Sequence, residues 1–106
     1  MTTPHRRATV RKRAELDLHY GSGEERTTGR SQNMSLGGAF IHTQRESPFG
    51  EQIELFIRFP GFTEIRCLPA TVRWLGANGM GVQFGALDAH TTYELTEYLA
   101  QCEDDA

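Results

Sequence analysis

Two arginines four positions apart, Arg7 and Arg11, and an Asn-x-Ser-x-x-Gly stretch beginning at Asn33 are the residues of this chain best suited to act on a ligand. A guanidinium group is planar and presents several N–H donors in a fixed fork. It bonds guanine at O6 and N7 through two parallel hydrogen bonds, grips phosphate bidentately, and stacks on a purine face. Asn33 offers both a donor and an acceptor to a base edge. Ser35 adds a small hydroxyl for a phosphate oxygen or for its own turn. Gly37 and Gly38 permit positive φ and remove bulk where a ligand approaches. Together these residues suit a guanine-containing anion. Taken separately, the Asn, Ser and Gly also make an ordinary hairpin turn, and basic termini often hold an arginine pair by chance.

No residue set resembles a reaction centre. There is no carboxylate pair and no Cys/His or Ser/His/Asp order. His5, His19, His42 and His90 are scattered without metal spacing, and Cys67 and Cys102 lie far apart, outside any Cys-x-x-Cys context. The expectation is a binding protein rather than an enzyme, without cofactor or metal, its two thiols reduced and partly buried.

Size and charge frame the rest. The 106 residues suit one domain, and 38% hydrophobic with 24% charged residues is globular composition. No apolar run approaches the roughly 18–20 residues of a membrane helix, and the basic start lacks a signal-peptide core. Cytoplasmic location without membrane insertion is expected. The net charge is −3, yet Arg6, Arg7, Arg11, Lys12 and Arg13 fall within the first 13 positions. From Asp88 onward there are six acids and no Lys or Arg. A basic arm and an acidic tail imply that only the arm meets an anionic partner.

The elements that must position these residues can be read from periodicity. Residues 1–12 lack apolar periodicity and read as a flexible basic arm. Leu16, Leu18 and Tyr20 alternate with Glu15, Asp17 and His19 as a half-buried strand. Arg26 to Gln32 is polar and reads as an exposed or edge strand. Ala39–Thr43, Ile53–Phe59, Leu68–Trp74 and a last strand through Val82 and Phe84 come next, parted by Gly/Pro breaks. Trp74 falls on the apolar face with Leu68, Ala70 and Val72, as core or sheet surface; base stacking is the lesser alternative. Phe56, Phe59 and Phe62 read as core and loop packing, or as a partner surface if exposed. Asp88 suits an N-cap, and Thr91, Leu95, Tyr98, Leu99 and Cys102 recur at helical spacing, predicting a helix over 89–101. The sum is a mainly β fold: an antiparallel β-barrel of about six strands with a C-terminal α-helix.

Arg7-x-x-x-Arg11 with Asn33-x-Ser35-x-x-Gly38 placed 22 residues later resembles the PilZ family of cyclic di-GMP receptors. Trp74, the Gly79-Met80-Gly81-Val82-Gln83-Phe84 run and the terminal helix are similar to that family's last strands and helix. The likeness runs from about Arg6 to Tyr98. It implies a six-stranded antiparallel β-barrel with a C-terminal helix, divided as arm 1–12, barrel and helix 13–102, and acidic tail 103–106. It also implies cyclic di-GMP as the ligand, with Arg7, Arg11, Asn33, Ser35 and Gly38 as contacts and Gly37 beside them. Asn at 33 replaces the commoner Asp, removing a negative charge beside a dianion. A basic residue at Arg6 implies contact with a second, intercalated ligand molecule; a plain surface charge is the competing reading. The expected function is a receptor or adaptor whose arm orders over the barrel on binding and alters engagement of an unidentified partner protein. The alternative is an interaction module that binds no nucleotide. DNA or RNA binding is not expected, because the barrel portion is net acidic. Oligomeric state is open.

Overall fold

The computed structural model describes residues 10–105. Seven strands and one helix occur in order: β1 (Lys12–Arg13), β2 (Asp17–Gly21), β3 (Thr27–Met34), β4 (Gly38–His42), β5 (Gln52–Ile57), β6 (Arg66–Gly76), β7 (Gly79–Phe84) and α1 (Ala89–Ala100). Every pairing is antiparallel, in the order β3-β2-β5-β6-β7-β4, and β4 pairs back onto β3. Six strands thus close a barrel that, among the described residues, has no free edge. The two residues of β1 pair with the end of β3, continuing the line of β2 beyond a break at 14–16.

Alternation accounts for the barrel interior. Ile53, Leu55 and Ile57 of β5 and Leu68, Ala70 and Val72 of β6 point inward, joined by Ile41, Met34 and Tyr20. The buried Tyr20 hydroxyl is satisfied by Thr43 Oγ1 at 2.6 Å and by the Arg45 carbonyl. The break at 14–16 is stitched by Ser31, which is 1% exposed. Its hydroxyl donates to the Ala14 carbonyl and accepts from the Leu16 amide at 2.9 Å. The polarity of Arg26–Gln32 suggests an edge strand; the observed β3 is instead paired along both sides. Its outward side chains are polar, and its place is set by backbone hydrogen bonds rather than by burial.

Helix α1 closes one end of the barrel. Leu95 and Leu99 are buried, and Tyr98 packs on Phe59 with centroids 5.9 Å apart. Glu94, which charge alone assigns to solvent, is also buried. Arg66 of β6 donates to its Oε2 from Nη2 at 2.7 Å and from Nε at 3.1 Å, tying helix to barrel. Burial explains the pairing, because an ionised carboxylate leaves water only with a hydrogen-bonded cation beside it. Asp88 caps α1, accepting from the Thr91 amide at 2.7 Å. That bond holds the Asp88 carboxyl below its ordinary value. The ionised cap therefore supports the helix fully above the free-aspartate range and loses that support as pH falls through the lowered folded value. Exchange protection of the Thr91 amide should hold at pH 5 and fall below about pH 4, and Asp88→Ala should abolish the change.

Candidate functional site

The Asn-x-Ser-x-x-Gly stretch spans the end of β3, a three-residue loop and the start of β4. Ser35 caps that loop. Its Oγ accepts from the Gly37 amide at 3.1 Å, and its own amide donates to the Gly38 carbonyl at 2.8 Å. The hydroxyl is thus committed to the turn as an acceptor, yet it retains a proton to donate. Neither Gly37 nor Gly38 has positive φ, contrary to the turn chemistry expected of them. Gly38 is required for a different reason: a Cβ there would run into the Val82 carbonyl of β7. A Cβ at Gly37 would meet nothing nearer than Ser35 Oγ at 4.0 Å. Gly38 lets two strands approach, and Gly37 leaves open space outside them.

Two bulges build the rest of the site. In β3, Ser31 pairs with Ile41 but Asn33 pairs with Phe40, so Gln32 is an extra residue. In β6, Val72 pairs with Val82 but Trp74 pairs with Gly81, so Arg73 is an extra residue. Each added residue reverses the in–out parity of the strand beyond it. Asn33 and Trp74 are thereby turned to the outside of the barrel. This corrects the placement of Trp74 on one face with Val72, and of core or sheet surface it leaves sheet surface: Trp74 is 58% exposed, whereas Val72 is fully buried. Phe40 pairs with Gly81, so Asn33, Phe40, Gly81 and Trp74 form one row across β3, β4, β7 and β6. The Phe40 and Trp74 rings are 5.3 Å apart and tilted by 57°. A Cβ at Gly81 would lie 3.2 Å from the Trp74 ring, so the missing side chain gives the indole its seat.

Arg11 joins this row from the arm. Its Nη1 donates to Asn33 Oδ1 at 3.1 Å, so the two sequence motifs meet. A surface cavity of about 610 Å³ extends over Arg11, Asn33, Ser35, Gly37 and Gly38 on one side, and over Phe40, Arg73 and Trp74 on the other. Among the described residues, two guanidinium groups and no carboxylate line it. Arg6 and Arg7 lie outside the described residues. Arg73 and Arg45 are the two further arginines that the sequence offers for the rim; Arg73 lines the cavity and Arg45 does not. Sequence reasoning missed Phe40 as a site neighbour, and it underweighted Trp74. Phe49 and Tyr93 are exposed as well. Phe56 is half-buried on the outer surface beneath the Arg26 guanidinium, at 3.8 Å. Cys67, expected to be partly buried, is exposed. Among the described residues no cluster of three or more His, Cys, Asp or Glu could hold a metal, and no helix is long and apolar enough to cross a membrane.

The molecule is thus a small closed barrel, capped by one helix, that carries a cationic and aromatic corner on its outer wall. The PilZ domain family model matches residues 5–101, and the chain belongs to that family of cyclic di-GMP-binding regulatory domains. Among solved structures, the Bacillus subtilis inhibitor of motility (MotI/DgrA) is similar, at 25% identity and a TM-score of 0.72 over 87% of this chain. That alignment covers 48% of the inhibitor, so the chain spans about half its length. The PilZ domain of CeSA from a cellulose-synthesizing bacterium aligns at 16% identity with a TM-score of 0.66, over 85% of this chain and 94% of that domain. This second likeness is one of fold alone. Comparison with curated proteins finds no match.

Proposed function

We propose that this chain is a cyclic di-GMP receptor that passes the binding event to a partner protein, without turning the nucleotide over. The observation that carries this reading is the meeting of Arg11 with Asn33 beside the outward-turned Phe40 and Trp74. A cyclic dinucleotide is two purines on a dianion. The corner offers guanidinium forks for guanine edges and phosphates, an amide for a base edge, a hydroxyl proton at Ser35, and aromatic faces. Gly37 leaves room for the ligand, and Gly38 lets β4 lie close against β7 beside it. Arg7 completes the fork pair by bringing the preceding arm over the corner, and Arg6 meets a second nucleotide where two bind. The likeness to an inhibitor of motility makes motility the first process in which to seek the partner.

Calorimetric titration with cyclic di-GMP, against GTP and cyclic di-AMP, tests the reading directly. Binding selective for the guanine dinucleotide is expected, and its stoichiometry of one or two decides the role of Arg6. Absence of heat and of any thermal shift with all three compounds would leave an interaction module that needs no nucleotide. Trp74 is the only tryptophan, so its fluorescence should be quenched on binding. Trp74→Ala should weaken affinity by the roughly 1–3 kcal/mol of one base–aromatic stack. Its midpoint of thermal unfolding should barely change, because the ring is mostly in solvent already.

A further inference from the structure

Residues 103–105, after α1, run antiparallel to the root of the basic arm. The Arg13 amide donates to the Glu103 carbonyl at 2.7 Å, and the Asp105 amide donates to the Arg11 carbonyl at 2.9 Å. Lys12 and Asp104 form the bridge between them, and Lys12 Nζ reaches Asp104 Oδ1 at 3.0 Å. On the opposite side, Lys12 and Arg13 pair with Met34 and Asn33 of β3. Lys12 and Arg13 are therefore held between two neighbours, and Arg11, next to them on the arm side, is held at its carbonyl by Asp105. Its side chain is exposed and makes its hydrogen bond to Asn33.

We propose that residues 103–105 position Arg11 for the nucleotide, with the Asp105 amide as the group that fixes its backbone. This rests on the receptor reading above. A residue just beyond a strand end, with no backbone pairing, frays, and a frayed Arg11 must be ordered again before its fork meets a guanine or a phosphate. The bond from Asp105 removes that requirement in advance. The acidic side chains play a smaller part: Asp104 is 74% exposed, and an ion pair so placed contributes little in salt. What positions Arg11 is main-chain pairing, so the effect should track the amide proton rather than the charge.

Asp105→Pro removes the amide proton and Asp105→Ala keeps it, while both remove the carboxylate. Cyclic di-GMP titration of the full chain should show about a two- to tenfold loss of affinity in the proline variant, the range of one net hydrogen bond, and none in the alanine variant. In an Arg11→Ala background the proline substitution should cause no further loss, a coupling that a general loosening of the fold would not produce. In the free protein, amide exchange at Arg13 should quicken in Asp105→Pro, while exchange at core amides and the unfolding midpoint stay fixed. Equal losses in both Asp105 variants, full affinity in the proline variant, or the same fold loss without Arg11 would each overturn the proposal. A wild-type protein that ignores the nucleotide overturns the receptor reading itself. The Arg13 exchange, which needs no ligand, tells that failure apart from a tail that does not hold the arm.

Discussion

Arg11→Ala should lower affinity for cyclic di-GMP by one to two orders of magnitude, with no change in the unfolding midpoint. One bidentate guanidinium contact to guanine is worth about 1–3 kcal/mol of discrimination. The loss is bounded from above by what Arg11 already does without ligand: its Nη1 donates to Asn33 Oδ1, and that bond is given up or shared when a nucleotide arrives. Stability should be indifferent, because the side chain is exposed and takes no part in the core. Arg11→Lys keeps the charge but not the fork, so it should recover less than half of the lost free energy. Calorimetry at two salt concentrations separates the contributions, because the charge effect is screened and the fork geometry is not. Wild-type affinity in the alanine variant would remove Arg11 from the site.

Gly38→Ala and Gly37→Ala should have opposite signatures despite being neighbours. A methyl group at 38 runs into the Val82 carbonyl and comes within 3.3 Å of Gln83 Cα, both on β7. Those are backbone atoms that cannot rotate away, so β4 and β7 must part. The expected destabilisation is about 1–3 kcal/mol, as for an overfilled core. For a domain of this size that lowers the midpoint by roughly 4–8 °C per kcal/mol. Affinity should fall with it, because the Phe40–Gly81 pair rides on the same two strands. At 37 the added methyl touches nothing closer than Ser35 Oγ, so the midpoint should hold. It stands in the cavity instead, and only binding should weaken. Calorimetric melting with and without nucleotide distinguishes the two patterns. A stable Gly38→Ala would contradict the strand spacing, and a Gly37→Ala with full affinity would place the ligand elsewhere.

The legible features are those that depend on local periodicity. Ile53, Leu55 and Ile57 alternate, and the strand they predict exists with those side chains inward. Asp88 and the helical spacing after it mark the start of α1 to the residue. The motif residues Arg11 and Asn33 stand out by their types and spacing, and the fold brings their side chains together. The hidden features depend on which strand lies beside which. Trp74 comes after Leu68, Ala70 and Val72 in perfect period-two order, and only the bulge at Arg73, set by pairing with β7, reverses it. Gly81 opposite is a faint signal, since a glycine inside a strand often marks a bulge or a close approach. Glu94 is hidden for a related reason. Its partner Arg66 is 28 residues away on a different element, and nothing near Glu94 in the chain distinguishes a buried acid from a solvated one.

The internal rivet at Ser31 has a kinetic implication. Because its hydroxyl fastens both Ala14 and Leu16 from inside the wall, the leading segment cannot pivot anywhere within 14–16. Lys12 and Arg13 are held on both sides as well, so Arg11 projects from a fixed stem. On the receptor reading, a guanidinium so presented meets the dinucleotide without prior rearrangement. Arg11→Ala should consequently slow capture as well as hasten escape.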